Sequence, residues 1–160
     1  MIEKKCVNIA VLTVSDTRTE ANDKSGQFLV DRIKGAGHHL AEKKIIKDEK
    51  DLIQGQLKKW IASSEVDVVI ATGGTGVTGR DITPEAFEEL YDKSIPGFGE
   101  LFRMLSYQNI KTSTMQSRCT GGVTMALSFS PCRAPQVPAR MAGIKYWSIN
   151  LTVRTSPAIW

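Results

Sequence analysis

Cysteine is scarce in this chain. There are three, Cys6, Cys119 and Cys132, with no Cys-x-x-Cys pair and no ligand-like spacing. That odd, dispersed set argues against a disulfide framework or a structural zinc site, and reduced cytosolic thiols are the simplest account. Long apolar runs are missing too, and nothing approaches the ~20 residues of a membrane span. Residues 1–5 lead directly into the first apolar segment without the separate hydrophobic stretch of a secretory leader, so a cytoplasmic location is expected. Acidic residues are absent from residues 125–160, which contain Arg133, Arg140, Lys145 and Arg154. That segment carries the whole net charge of +4, leaving 17 basic and 17 acidic residues over residues 1–124. The neutral part shows no basic face with interleaved aromatics, which argues against nucleic-acid binding. A length of 160 residues suits one domain with a real core.

What the chain does have is glycine in one place. Residues 66–86 read VDVVIATGGTGVTGRDITPEA. Residues 66–71 are a short β-branched run, as expected of a central parallel strand. Thr72 to Gly79 form a glycine-rich turn, whose successive backbone N–H groups can make an anion nest. Thr83 suits an N-cap, Pro84 a first helical position, and Glu85 the positive end of a helix dipole. Gly74, Gly76 and Gly79 fit the dinucleotide pattern G-x-G-x-x-G. In that motif the helix opens within the glycines, whereas here Arg80, Asp81 and Ile82 intervene. A P-loop needs Gly-Lys-Ser/Thr, which is absent. A plain turn remains the competing reading. Asp81, beside a phosphate nest, favours a site where a carboxylate holds Mg²⁺ against phosphate oxygens.

Strands and helices alternate around this turn. Residues 6–14 form a first strand, followed by a polar loop with Ser15 and Asp16. A helix starts near residues 23–25 and runs to about 36, with Phe28, Leu29 and Ile33 on its buried face and Gly35 and Gly37 at its end. Residues 38–47 suit an outer strand. His38 and His39 point to opposite sides of it and cannot share a metal. Asp48 or Asp51 can cap the next helix, which ends near Ser63 with Ile53, Leu57, Trp60 and Ile61 on its core face. A further helix covers residues 83–92. Another begins near residues 95–100, with Phe98, Leu101, Phe102 and Leu105 as its core face and Glu100 and Arg103 as a solvated or interface pair. Residues 112–118 read as a hydroxyl-rich loop with one cation, suited to phosphate or to a plain surface connection. The alternation predicts an α/β fold with a largely parallel central sheet. Ligands in such folds lie beyond the carboxyl ends of the strands. Ser15, Asp16, Asp48 and residues 73–81 all fall there.

Several motifs in order carry a family resemblance: residues 71–86, the Pro-Gly-Phe-Gly-Glu run at 96–100, Leu105-Ser106, Thr112 to Thr114, Ser117-Arg118, residues 12–16 and residues 23–26. Together they resemble the molybdenum cofactor biosynthesis protein B family, kin to the molybdopterin adenylyltransferases, over residues 6 to about 124. The resemblance implies a three-layer α/β sandwich with helices on both faces, in a trimer or hexamer working with other molybdenum cofactor assembly proteins. It implies molybdopterin binding and, in the adenylyltransferase branch, transfer of AMP from Mg-ATP to the terminal phosphate of molybdopterin. On that basis Asp48 and Asp81 are the expected catalytic and Mg²⁺-handling residues. Ser15, Asp16, Ser25, Thr72, Gly73, Gly74, Thr75, Gly76, Thr83, Ser117 and Arg118 are the expected substrate- and phosphate-binding set. The alternatives are a molybdopterin-binding protein without catalysis and, from another class, an NAD-dependent dehydrogenase using residues 74–79.

Residues 1–124 thus read as a molybdopterin-binding domain, and residues 125–160 as an anomalous tail in place of its last strand and helix. The family ends with a strand, a Pro-Gly-Ser-Pro turn, a helix, and a Pro-Cys-Asn terminus. Here four of the six prolines fall in a segment with no acid and no evident helical or strand period. With permitted codon choices, reading these residues one nucleotide earlier restores the family ending in order. A frameshifted tail, with weak folding and activity beyond Thr124, is therefore expected.

Overall fold

The structure is a computed structural model that describes residues 6–125 and 144–149. Its first half is built by strict alternation. Strand β1 (Asn8–Val14) leads to α1 (Lys24–Gly35), β2 (His39–Ile46), α2 (Lys50–Ala62) and β3 (Val68–Thr72). Then come α3 (Thr83–Glu88), β4 (Lys93–Ser94), α4 (Pro96–Ile110), a 3₁₀ helix (Lys111–Gln116), β5 (Gly121–Met125) and β6 (Ile144–Ile149). The sheet order is β2-β1-β3-β6-β5-β4. β1 pairs parallel with β2 and β3, and β3 pairs parallel with β6, while β5 runs antiparallel to both β6 and β4.

Side-chain alternation along β1 makes the three layers. Ile9 and Val11 point to one face and pack with Leu29, Val30 and Ile33 of α1. Ala10, Leu12 and Val14 point to the other and pack with Ile53, Leu57 and Trp60 of α2 and Ala86 and Phe87 of α3. A central strand covered on both faces favours apolar residues on both, which is why residues 9–12 of β1 are a continuous apolar run. Trp60 is core, as its helical spacing predicts, with its ring N–H donating to Glu42 at 2.6 Å. The expected α/β sandwich with a largely parallel sheet is therefore the observed one.

Five local expectations need correction. Phe28 is half-buried under Arg32, whose guanidinium stacks 4.9 Å from its ring, and Val30 takes the expected core place. Neither Asp48 nor Asp51 caps α2: Glu49 occupies the N-cap position without a side-chain bond, and Asp48 turns toward the glycine loop. Helix α3 stops at Glu88 because residues 92–95 return to pair with β5, Asp92 N–H bonding Val123 O at 2.9 Å and Ile95 N–H bonding Gly121 O at 2.7 Å. Among the described residues, the expected core face of α4 is not buried: Leu101 is 53 % exposed, and Phe98, Phe102 and Leu105 are half-buried. Glu100 and Arg103 form no pair within the chain, since Arg103 donates instead to the carbonyls of Ser117 and Cys119, each at 3.3 Å.

The tail also yields a difference. Sequence period shows no strand after Thr124, yet β6 lies between β3 and β5, with Val68 opposite Tyr146 and Gly122 opposite Trp147. The pairing partners of β6 are supplied by β3 and β5, far apart in sequence, so period alone does not reveal it. The remainder of the tail, 126–143 and 150–160, lies outside the described residues.

Candidate functional site

The parallel register of β1, β2 and β3 sets three chain reversals on one rim. Ser15 N–H bonds Ile46 O at 2.8 Å, so the loops leaving β1 and β2 start side by side. β3 then opens into the glycine turn. Gly73 (φ +98°) and Gly74 (φ +62°) both need the left-handed region that L side chains avoid. A Cβ on Gly73 would collide with the Val14 carbonyl, and one on Gly74 would collide with Thr83 Oγ1 and Asp48 Oδ1. The turn closes through Thr83 N–H to Gly74 O at 3.0 Å.

That collision identifies the centre of the site. Asp48 Oδ1 and Thr83 Oγ1 approach the same point above Gly74, and both are buried atoms without a hydrogen-bond partner among the described residues. Thr83 is fully buried. Buried polar atoms normally have partners, so two orphans converging on one backbone turn mark a place where a ligand or water can supply the missing bonds. Thr83 was expected as the N-cap of α3. It is instead the first helical residue after Ile82, with its hydroxyl turned to the glycine loop rather than to the helix.

The two catalytic candidates differ in environment. Burial chiefly, then the nearby charges of Asp16 and Asp81, push the Asp48 carboxyl above its ordinary value, with Arg80 opposing. Asp81 is pulled the other way, first by the Thr78 hydroxyl, against a smaller cost of burial, and then by backbone N–H groups of Thr78 and Gly76. Its Oδ2 accepts from Thr78 N–H at 2.9 Å and Thr78 Oγ1 at 2.6 Å. Asp81 thus braces the loop from within, while Asp48 presents an open oxygen. Magnesium takes one or two carboxylates, with substrate phosphates and water completing its shell. Asp48 fits that role, and Asp81 fits it with one oxygen at most. Among the described residues no cluster of three His, Cys, Asp or Glu side chains forms a self-sufficient metal site.

The remaining candidates divide. Asp16 is on the rim: its Oδ1 accepts Asp48 N–H at 3.3 Å and its Oδ2 accepts Arg80 at 2.5 Å. Ser15 organises the same loop by accepting from Thr17 and Arg18 N–H. Thr72 and Thr75 are buried within the turn and Gly76 faces Asp81. Arg118 comes from the link between the 3₁₀ helix and β5 to hold the loop, donating to Gly76 O at 2.7 Å and Asp81 O at 2.5 Å and pairing with Glu85. It borders a cavity of about 420 Å³ with Val77, Thr78, Ile82 and Asp81. Ser117 ends the 3₁₀ helix and offers its carbonyl to Arg103. Ser25 lies in the first turn of α1, and among the described residues no hydrogen bond joins it to the glycine turn. Arg80, Thr78 and Glu85 were not anticipated. Arg80 stands beside Asp81 in sequence, but its partner is 64 residues away, so only the fold reveals the pair. His38 accepts from Val7 N–H at 3.4 Å, a structural contact. Among the described residues no helix is long and apolar enough to cross a membrane.

Comparison with known proteins agrees with this architecture. Residues 10–141 match the model of a family described as a probable molybdopterin binding domain. Molybdenum cofactor biosynthesis protein B of Escherichia coli K12 is 47 % identical over 146 residues, covering 82 % of this chain and 86 % of the relative. A crystal structure of a molybdenum cofactor biosynthesis protein B superposes with a TM-score of 0.75 at 41 % identity, over 91 % of this chain and 81 % of that one. The tungsten cofactor synthesizing protein MoaB of Pyrococcus furiosus gives 0.70 at 33 % identity, over 91 % and 82 %. The chain belongs to the molybdenum cofactor biosynthesis protein B family.

Proposed function

We propose that this protein binds molybdopterin at the rim above Gly74 and transfers AMP from Mg-ATP to its terminal phosphate. The observation that carries the reading is the pair of unpartnered buried atoms, Asp48 Oδ1 and Thr83 Oγ1, meeting over a left-handed glycine. In the proposed reaction an oxygen of the molybdopterin phosphate forms a bond to the α-phosphorus of ATP, the α–β bridging bond breaks, and pyrophosphate leaves. Such a transfer needs alignment and charge neutralisation rather than a covalent enzyme intermediate. The backbone N–H groups of the glycine turn would hold phosphate oxygens, and the Thr83 hydroxyl would donate to one of them. Asp48 would hold the metal ion, whose contribution is to neutralise phosphate charge as it shifts toward the leaving group. Asp81 and Arg118 would keep the loop in shape from behind.

A second reading has its own support. Asp81 already accepts the Thr78 and Gly76 donors, which leaves a single open carboxylate and fits a protein that binds molybdopterin without turnover. The deciding experiment measures molybdopterin binding and ATP-dependent adenylyl transfer together, on this chain and on a version with the family ending restored after Thr124. Transfer that Asp48→Asn abolishes supports the first reading. Binding without transfer in both chains supports the second, and no binding in either refutes both. A dehydrogenase reading is the weakest, because α3 starts at Thr83, clear of the glycines.

Self-association is proposed from α4. Leu101, Met104 and Tyr107 are 53 %, 61 % and 51 % exposed, and Met115 just beyond them is 80 % exposed. A row of large apolar side chains on one element suits burial against other copies of the chain in a trimer or hexamer. Leu101→Glu with Met104→Glu should lower the mass measured by light scattering, and an unchanged mass would refute this face as the interface.

A further inference from the structure

The rim is acidic where a phosphorylated ligand would enter. Asp16, Asp48 and Asp81 all border the glycine turn, and Arg80 and Arg118 are the guanidinium groups bonded there among the described residues. Arg118 is fully engaged: its three nitrogens bond Gly76 O, Asp81 O and Glu85. Arg80 is engaged differently. Its Nη2 alone contacts a partner, Asp16 Oδ2 at 2.5 Å, and the two side chains are 65 % and 38 % exposed. An ion pair so open to water is weak and easily exchanged. The guanidinium fork matches two phosphate oxygens at once and forms stronger bonds with them than a single contact to one carboxylate. Arg80 directly follows the turn over which the unpartnered Asp48 and Thr83 atoms meet, and its charge is near enough to act on Asp48, so a phosphate seated on the turn lies within the reach of this long side chain.

We propose that Arg80 is a phosphate-capturing residue that Asp16 holds in reserve, leaving the carboxylate for phosphate oxygens when a phosphorylated ligand enters the glycine turn. The inference rests on the reading of this rim as a phosphate site. Exchange has two consequences. It places a cation against the ligand, and it breaks the tie between the β1 loop and the glycine turn, which widens the mouth only when the ligand is present. Asp16 is then a competitor of the ligand for Arg80.

The two halves of the ion pair therefore act in opposite directions, which a purely structural tie would not produce. Titration calorimetry with inorganic pyrophosphate on the full chain should give a Kd about tenfold or more weaker for Arg80→Ala, the loss expected for one charge-assisted contact. Arg80→Lys should fall between, since it keeps the charge without the fork. Asp16→Asn should bind pyrophosphate more tightly than the wild type, as both the competitor and one negative charge are gone. Any structural effect of losing the tie is common to Arg80→Ala and Asp16→Asn, so it cancels in the comparison. Equal weakening in both, or no change in Arg80→Ala, would overturn the proposal. Wild-type protein that ignores pyrophosphate while still binding molybdopterin would overturn it too, leaving the reading of the site itself intact.

Discussion

Thr83→Val should make the ligand-free protein more stable and its binding weaker. The Thr83 side chain is fully buried and its hydroxyl has no partner among the described residues. An unsatisfied buried hydroxyl costs about 1–3 kcal/mol relative to a paired one. Valine has nearly the same shape, removes that penalty, and buries a methyl worth about 0.8 kcal/mol. Allowing for imperfect packing against Gly74 and Asp48, a net gain of about 1–2 kcal/mol is expected, or about 2–4 °C for each kcal/mol in a chain of this size. Binding of the phosphorylated substrate should weaken about tenfold, since one donor to a charged group is lost. Thr83→Ser should reverse both effects, keeping the hydroxyl and the binding while losing about 1 kcal/mol of methyl burial. Urea denaturation at fixed protein concentration, with and without ligand, measures both quantities. A Thr83→Val protein destabilised by about 1 kcal/mol or more would mean that the hydroxyl is bonded within the protein, and the case for a ligand at Gly74 would fail.

Three other perturbations follow from the same geometry. Gly74→Ala forces a left-handed alanine and drives its methyl into Asp48 and Thr83, so about 2 kcal/mol or more of stability and all measurable ligand binding should be lost, read by urea denaturation and ligand titration. Asp48→Asn should stabilise the metal-free, ligand-free protein at neutral pH. Because burial and the neighbouring Asp16 and Asp81 raise the Asp48 carboxyl above 3.8, wild-type stability falls as pH rises from there through the folded value. The advantage of the variant should vanish below pH 3.8, and a constant advantage at all pH would refute the argument. Asp23→Ala removes both the α1 cap, which accepts Gly26 N–H at 2.9 Å, and a buried partner of Lys43 at 3.1 Å, and should cost about 3 kcal/mol by chemical denaturation. Burial raises the Asp23 carboxyl, but the bonds from Gly26, Lys43 and Thr13 outweigh it and leave it lowered. Its contribution is thus present above pH 3.8 and should fade as pH falls through the folded value.

The central sheet and its covering helices were legible because their signals are local. β1 and β3 are nearly continuous apolar runs, broken by Asn8, Thr13 and Thr72, and α2 repeats Ile53, Leu57 and Trp60 at helical spacing. Legibility fails where a partner outside the segment decides. Helix α3 ends four residues earlier than its sequence suggests because β5 recruits residues 92–95 into a ladder. The apolar stripe of α4 is real, but a stripe says only that something covers it. Here that cover does not come from the described part of the same chain, so an expectation of core became an exposed face. For β6, the neighbours that make it a strand are β3 and β5, set by the sheet order, and no local period announces them.

The site shows the same division one level up. Strand–helix alternation placed Asp48, Gly74 and Asp81 on one rim and the family resemblance added Thr83, but neither could say which carboxylate is free. That depends on neighbours 3 to 35 residues away in sequence: Thr78 fills the oxygen of Asp81, while Asp48 reaches across to a glycine turn that gives it nothing to bond. The family resemblance gave both acids one expected role. The fold separates them into an acid that braces the loop and an acid whose buried oxygen is left unpartnered over Gly74. The separation has a direct consequence for substitution. If Asp81 works through the loop, replacing it should change the position of Thr78 and the binding of every ligand alike, whereas replacing Asp48 should act on the metal-dependent step and leave loop geometry unaltered. Measuring binding with and without Mg²⁺ in Asp48→Asn and Asp81→Asn distinguishes the roles, since only the Asp48 variant should lose the difference between the two conditions.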